Sequence, residues 1–124
     1  MSVDLITREL PPDITVMALT GRLILGDRLK EVEQAIRQRI QQGARKVVLD
    51  FSGLDYIDSS GIGVVAACIA TMQRSGGTLA VVVGEGHVKR FLELTRLDRV
   101  AKTYPDLPSA RTALARPATP PPPS

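Results

Sequence analysis

Three consecutive residues, Asp58-Ser59-Ser60, follow the apolar run Val47-Val48-Leu49 and its continuation to Ile57, and stand directly before a helical stretch that opens on Gly61-Ile62-Gly63. This spacing holds a hydroxyl at the positive end of a helix, in reach of solvent. Two readings fit it. In the first, a serine is an N-cap that accepts a bond from an orphan backbone N–H, and Asp58 is turn chemistry. In the second, one serine caps while the other points outward as a phosphoacceptor. A phosphate adds about −1.5 to −2 charges. The helix N-terminus, equivalent to roughly +0.5, tolerates that charge locally. The fold would then survive a modification that a partner's surface would meet as a new dianion. Gly61 and Gly63 leave room for backbone or a partner to come close.

Other chemistries fit the chain poorly. His87 is the single histidine, and the acid nearest to it in sequence is Glu85. A Ser–acid–His order with the acid two residues from the histidine, and no Gly-x-Ser-x-Gly elbow, does not describe a hydrolase. Gly84-Glu85-Gly86 is half a dinucleotide fingerprint without its third glycine. One cysteine and one histidine cannot build a zinc site. Asp50, Asp55 and Asp58 are too interrupted for a metal box. Cys68, among Ala66, Ala67 and Ala70, reads as core. No enzyme activity and no cofactor is expected.

Composition limits the partners. Lys and Arg outnumber Asp and Glu by 16 to 13, a net charge of +3. Lys102, Arg111 and Arg116 against Asp106 place most of that excess beyond residue 100, so the remainder is nearly neutral and has no basic cluster. Aromatic residues are only 3% of the chain, too few to stack bases, so nucleic acid is not an expected partner. No apolar run reaches the ~18 residues of a membrane span. The start, Met1-Ser2-Val3-Asp4, is not shaped like a signal peptide. A lone cysteine suits a reducing compartment, and a cytoplasmic location is the expectation.

The elements that must position the serines follow from periodicity. Val3–Leu10 and Ile14–Leu19 read as a hairpin around Pro11-Pro12-Asp13. Thr20-Gly21 reads as a break, with a short strand at Leu23–Leu25. Leu29, Val32, Ile36 and Ile40 lie on one helical stripe that Gly43 closes. Lys46–Phe51 and Thr78–Val83 read as strands covered on both faces and central in a sheet. Ile62, Val65, Ala66, Ile69 and Met72 trace a second helix, and Val88, Phe91, Leu92 and Leu94 a third. Val100–Lys102 reads as a last strand and Ala110–Leu114 as a last helix. Strands alternating with helices imply a largely parallel sheet opened by the antiparallel hairpin. The folded domain is expected over residues 1–115. Residues 116–124 hold five of the nine prolines and are expected to be a disordered tail.

Three segments give the pattern a family likeness. They are Leu19-Thr20-Gly21, Val48-Leu49-Asp50-Phe51-Ser52-Gly53-Leu54, and Ile57-Asp58-Ser59-Ser60-Gly61-Ile62-Gly63-Val64. Together with Gly76-Gly77 and Val88–Leu94, they resemble the STAS domain family over about residues 3–114, and within it the bacterial anti-sigma factor antagonists. The resemblance implies an α/β fold, a mixed and mostly parallel sheet with helices packed chiefly on one side. It also implies a switch. The unphosphorylated protein binds an anti-sigma factor that is a serine kinase of the histidine-kinase-like ATPase fold, and the sigma factor is released. Carried across, Ser59 accepts the phosphate, Asp58, Ser60, Gly61, Ile62 and Gly63 surround it, and Gly21, Arg22 and Ile24 stand on the adjacent docking loop. A serine phosphatase would restore the serine. Many members of the family carry acidic residues where this chain has Arg22 and Ile24. STAS-like domains also serve as soluble regulatory subunits of membrane transporter ATPase complexes, which is the alternative reading.

Overall fold

The computed structural model describes residues 3–115, and the proline-rich segment 116–124 lies outside them. The elements in chain order are β1 (Asp4–Leu10), β2 (Ile14–Leu23), α1 (Asp27–Gln41), β3 (Lys46–Ile57), α2 (Ser59–Arg74), β4 (Thr78–Val82), α3 (His87–Leu94), β5 (Lys102–Tyr104) and α4 (Leu107–Ala115). A single 3-10 turn, Leu97–Arg99, precedes β5. One five-stranded sheet runs β1-β2-β3-β4-β5. The β1–β2 hairpin is antiparallel, and every later pairing is parallel.

The alternation of side chains along each strand divides the core in two. Met17 and Leu19, Val47 and Leu49, and Leu79 and Val81 point to one face, where the buried stripes of α1, α2 and α3 cover them. Ile14 and Val16, Val48, and Ala80 and Val82 point to the other, where α4 packs with Ala110 and Leu114. Three helices on one face and one on the other is the layering expected. Leu29, Val32, Ile36 and Ile40 are all buried, as their spacing predicts. Each fully buried aliphatic side chain of this kind contributes about 1.5–3 kcal/mol relative to exposure. An aliphatic interior can therefore hold the fold with almost no aromatic mass.

Three expectations are corrected. β2 does not break at Thr20-Gly21 but runs on to Leu23, and no separate strand forms at Leu23–Leu25. β3 likewise continues past Phe51 to Ile57. The two extensions have one cause: each supplies the other's ladder partners, from Thr20↔Gly53 to Leu23↔Ile57, and absorbs the misfit as register shifts. The last strand lies at Lys102–Tyr104 because the N–H groups of Val100 and Ala101 both bond to the Leu97 carbonyl and stay with the 3-10 turn.

Cys68 is fully buried on α2, and burial pushes its thiol up to about 12. Thiolate is the reactive species. The native protein is therefore expected to resist iodoacetamide at pH 8 and to become labelled only in denaturant, with mass spectrometry as the readout.

Candidate functional site

The site lies where β2 and β3 end together and α2 begins. Asp58 is the N-cap of α2, with extended backbone (φ −108°, ψ −176°). Its Oδ1 accepts the Gly61 N–H at 2.9 Å, and its carbonyl accepts the Ile62 N–H at 3.0 Å. Its Oδ2 accepts the Leu25 N–H at 3.0 Å, across 33 residues of sequence. In return the Asp58 N–H donates to the Leu23 carbonyl at 3.3 Å. One residue thus caps the helix and ties it to the loop that leaves β2.

Both readings of the serines gave the cap to a serine, and the structure corrects this. The extended residue that precedes the first helical turn is Asp58, so its carboxylate reaches the orphan N–H groups. Ser59 and Ser60 are already inside the helix. Ser59 is exposed and Ser60 half-buried, so the first serine carries its hydroxyl to solvent with no capping duty.

Burial raises the Asp58 carboxyl, but hydrogen bonds from Gly61, Leu25 and Ser60 together outweigh it and hold the group below its usual 3.8. Asp58→Ala is expected to cost about 1–2 kcal/mol, the range for losing a charged N-cap. The sign follows from linkage. A carboxyl whose folded-state value is depressed stabilises the fold above its unfolded value and loses that contribution as the pH falls through the folded one. Urea unfolding of the two proteins at pH 7 and at successively lower pH should show the difference shrink below about pH 4.

Gly61 meets a close approach. A Cβ there would run into the Leu23 carbonyl oxygen and stand 2.8 Å from Cγ1 of Ile57, so only glycine lets α2 start against the end of β2. Gly63 is exposed with open space around it, and Ile62 is buried in the core. Gly21, at φ 93°, occupies the left-handed region at a register shift in β2. Ile24 is half-buried beside it. Leu25, whose N–H holds Asp58, leaves 76% of its own surface in water.

A second group of side chains adjoins the turn, and no motif marks it in the sequence. The Arg22 guanidinium lies over the Tyr56 ring, 5.2 Å from its centroid. The other neighbour of that ring is His87, stacked at 4.6 Å and 11°, and Phe91 follows at 5.8 Å and 21°. His87 is the first residue of α3, and its Nε2 is 3.4 Å from the Ile57 carbonyl. The single histidine is therefore held in a stack. Parallel pairing of Arg22 with Tyr56 was the discoverable signal, but it depends on the strand extensions that local propensity conceals.

The fold and the site together define an α/β domain that presents a helix-start serine beside a tethered loop. The family model for the STAS domain matches residues 6–110, and the chain belongs to that family. A Thermotoga maritima protein carrying the name "Putative anti-sigma factor antagonist" is 34% identical over 77 residues, 62% of this chain and 68% of that protein. The crystal structure of an anti-sigma factor antagonist from Mycobacterium paratuberculosis superposes with a TM-score of 0.81 at 25% identity, covering 93% of this chain and 96% of that one. The phosphorylated form of the Bacillus cell fate determinant SpoIIAA shares the fold, with a TM-score of 0.71 at 18% identity over 90% of this chain and 99% of that one. Relatives named in this way are regulatory binding proteins rather than enzymes. Among the described residues, no helix is long and apolar enough to cross a membrane.

Proposed function

We propose that the protein is an anti-sigma factor antagonist whose binding is switched by phosphorylation of Ser59. The unphosphorylated form engages an anti-sigma factor, a serine kinase of the histidine-kinase-like ATPase fold, and so frees the sigma factor. The kinase then transfers phosphate to Ser59, the complex separates, and a phosphatase resets the serine. The observation that carries this reading is the division of labour at the turn. Asp58 caps the helix, so the exposed Ser59 hydroxyl can be modified without loss of a structural bond. A phosphate at the first helical position sits at the favourable end of the dipole, while a partner packed there meets two added charges. Gly21, Arg22, Ile24 and Leu25 flank the turn and form the rest of the docking surface.

The test is affinity capture from native extract, with mass spectrometry of the retained proteins and of the Ser59 peptide after ATP is added. A kinase-type anti-sigma factor together with phosphate on Ser59 is the expected result. Transporter ATPase subunits with an unmodified Ser59 would replace the switch with a plain docking role.

A further inference from the structure

The Arg22–Tyr56–His87–Phe91 column is unusual for this chain. The whole sequence holds two Tyr and two Phe. Phe51 is in the core, and Tyr104 packs against the α4 face. The other two aromatic residues, together with the single histidine, form a stack that ends at the surface, with Tyr56 40% exposed. Arg22 shares the lack of a carboxylate partner with other described cations such as Arg8, Lys30 and Arg90, but it is the one that lies over an aromatic ring. No carboxylate and no hydrogen-bond acceptor pairs with it among the described residues. It precedes Leu23, whose carbonyl takes the Asp58 N–H, so the column stands beside the serine turn.

A partner seated over Ser59 would also cover this column and strip water from the guanidinium. An arginine desolvated without an anion is strongly unfavourable, whereas a carboxylate offers its planar fork two charge-assisted bonds. Arginine and tyrosine are also the residues most often found at the centre of tight interfaces. We infer that Arg22, oriented by the Tyr56–His87–Phe91 stack, binds an Asp or Glu side chain of the anti-sigma factor and so selects which anti-sigma factor is recognised. This rests on the functional reading above.

The test is calorimetric titration of the captured anti-sigma factor into wild-type protein, Arg22→Glu, Arg22→Lys and Ser59→Asp, each first checked for an unchanged thermal midpoint. Arg22→Glu is expected to bind roughly thirty-fold more weakly. Arg22→Lys should lose less, because it keeps the charge but not the flat fork. Changing one acidic residue of the partner to Lys should restore binding to Arg22→Glu by about ten-fold. Arg22→Glu binding within about two-fold of wild type, with Ser59→Asp still defective, overturns the carboxylate contact and leaves the switch standing. Arg22→Glu that binds like wild type but is no longer released when Ser59 is phosphorylated also overturns it, since the arginine would then serve the chain's own phosphate. Failure of wild-type protein to bind any anti-sigma factor overturns the functional reading and this contact with it.

Discussion

Ser59→Asp is expected to weaken binding of the anti-sigma factor by about 100-fold or more, and to shift the thermal midpoint by no more than about 2 °C. Both parts follow from where the residue sits. Ser59 is exposed at the first position of α2, and Asp58 holds the cap without it. A carboxylate at that position gains about 0.3–1 kcal/mol from the helix dipole. Repulsion from Asp58 next to it offsets that gain, so little net change in stability remains. Binding has no such compensation. A partner that packs over the turn must desolvate the new charge, and an unpaired charge buried at an interface costs about 2–5 kcal/mol. Ser59→Ala removes the acceptor without adding charge and should bind like wild type while resisting phosphorylation. Calorimetry for the affinity and scanning calorimetry for the midpoint measure the two halves. Binding of Ser59→Asp within about three-fold of wild type would sink the switch.

Gly61→Ala should show the opposite profile, with stability lost throughout the domain. The added methyl would meet the Leu23 carbonyl oxygen, which is backbone, as well as Ile57 Cγ1. Neither is the far end of a flexible side chain. Relief requires α2 to move away from β2. That would stretch the 3.3 Å bond from Asp58 N–H to Leu23 and loosen the Leu25 tether. Overpacking of this kind costs about 1–3 kcal/mol, and damage to the cap adds to it. We expect a total of about 2–4 kcal/mol. For a domain near 100 residues, this lowers the midpoint by roughly 10–20 °C. Gly63→Ala is the control. It meets nothing within 4 Å and lies inside a helix, where alanine is favoured, so it should be neutral or slightly stabilising. Thermal unfolding of both variants followed by circular dichroism decides it. Equal midpoints would show that the β2–α2 approach carries no constraint.

The parts of this fold legible in the sequence are those set by strong local periodicity. The stripe Leu29–Val32–Ile36–Ile40 and the aliphatic runs of β3 and β4 fix α1 and the centre of the sheet. What stayed hidden depends on non-local pairing. Ser52-Gly53-Leu54-Asp55 has the composition of a turn, yet it is strand, because Thr20 to Leu23 of β2 lie alongside it. Sheet propensity yields to a neighbour in this way more readily than helix propensity does. At the site, the serines at the start of α2 were legible and the cap of that helix was not. Asp, Ser and Ser are all competent N-caps, and three in a row cannot reveal where the backbone turns helical. The Arg22–Tyr56 pair was doubly hidden, since both residues lie in the strand extensions that composition disguises.

The bond from Leu25 to Asp58 has a kinetic consequence. A recognition surface assembled from two distant segments usually has to gather them when its partner arrives, and that step slows capture. In the docking surface proposed above, the segments are already fastened together before encounter. Capture is then limited by diffusion and orientation, in the range of about 10⁵–10⁷ M⁻¹s⁻¹ typical of preformed surfaces. A charge added at Ser59 would leave that rate largely as it was and act on how long each complex survives.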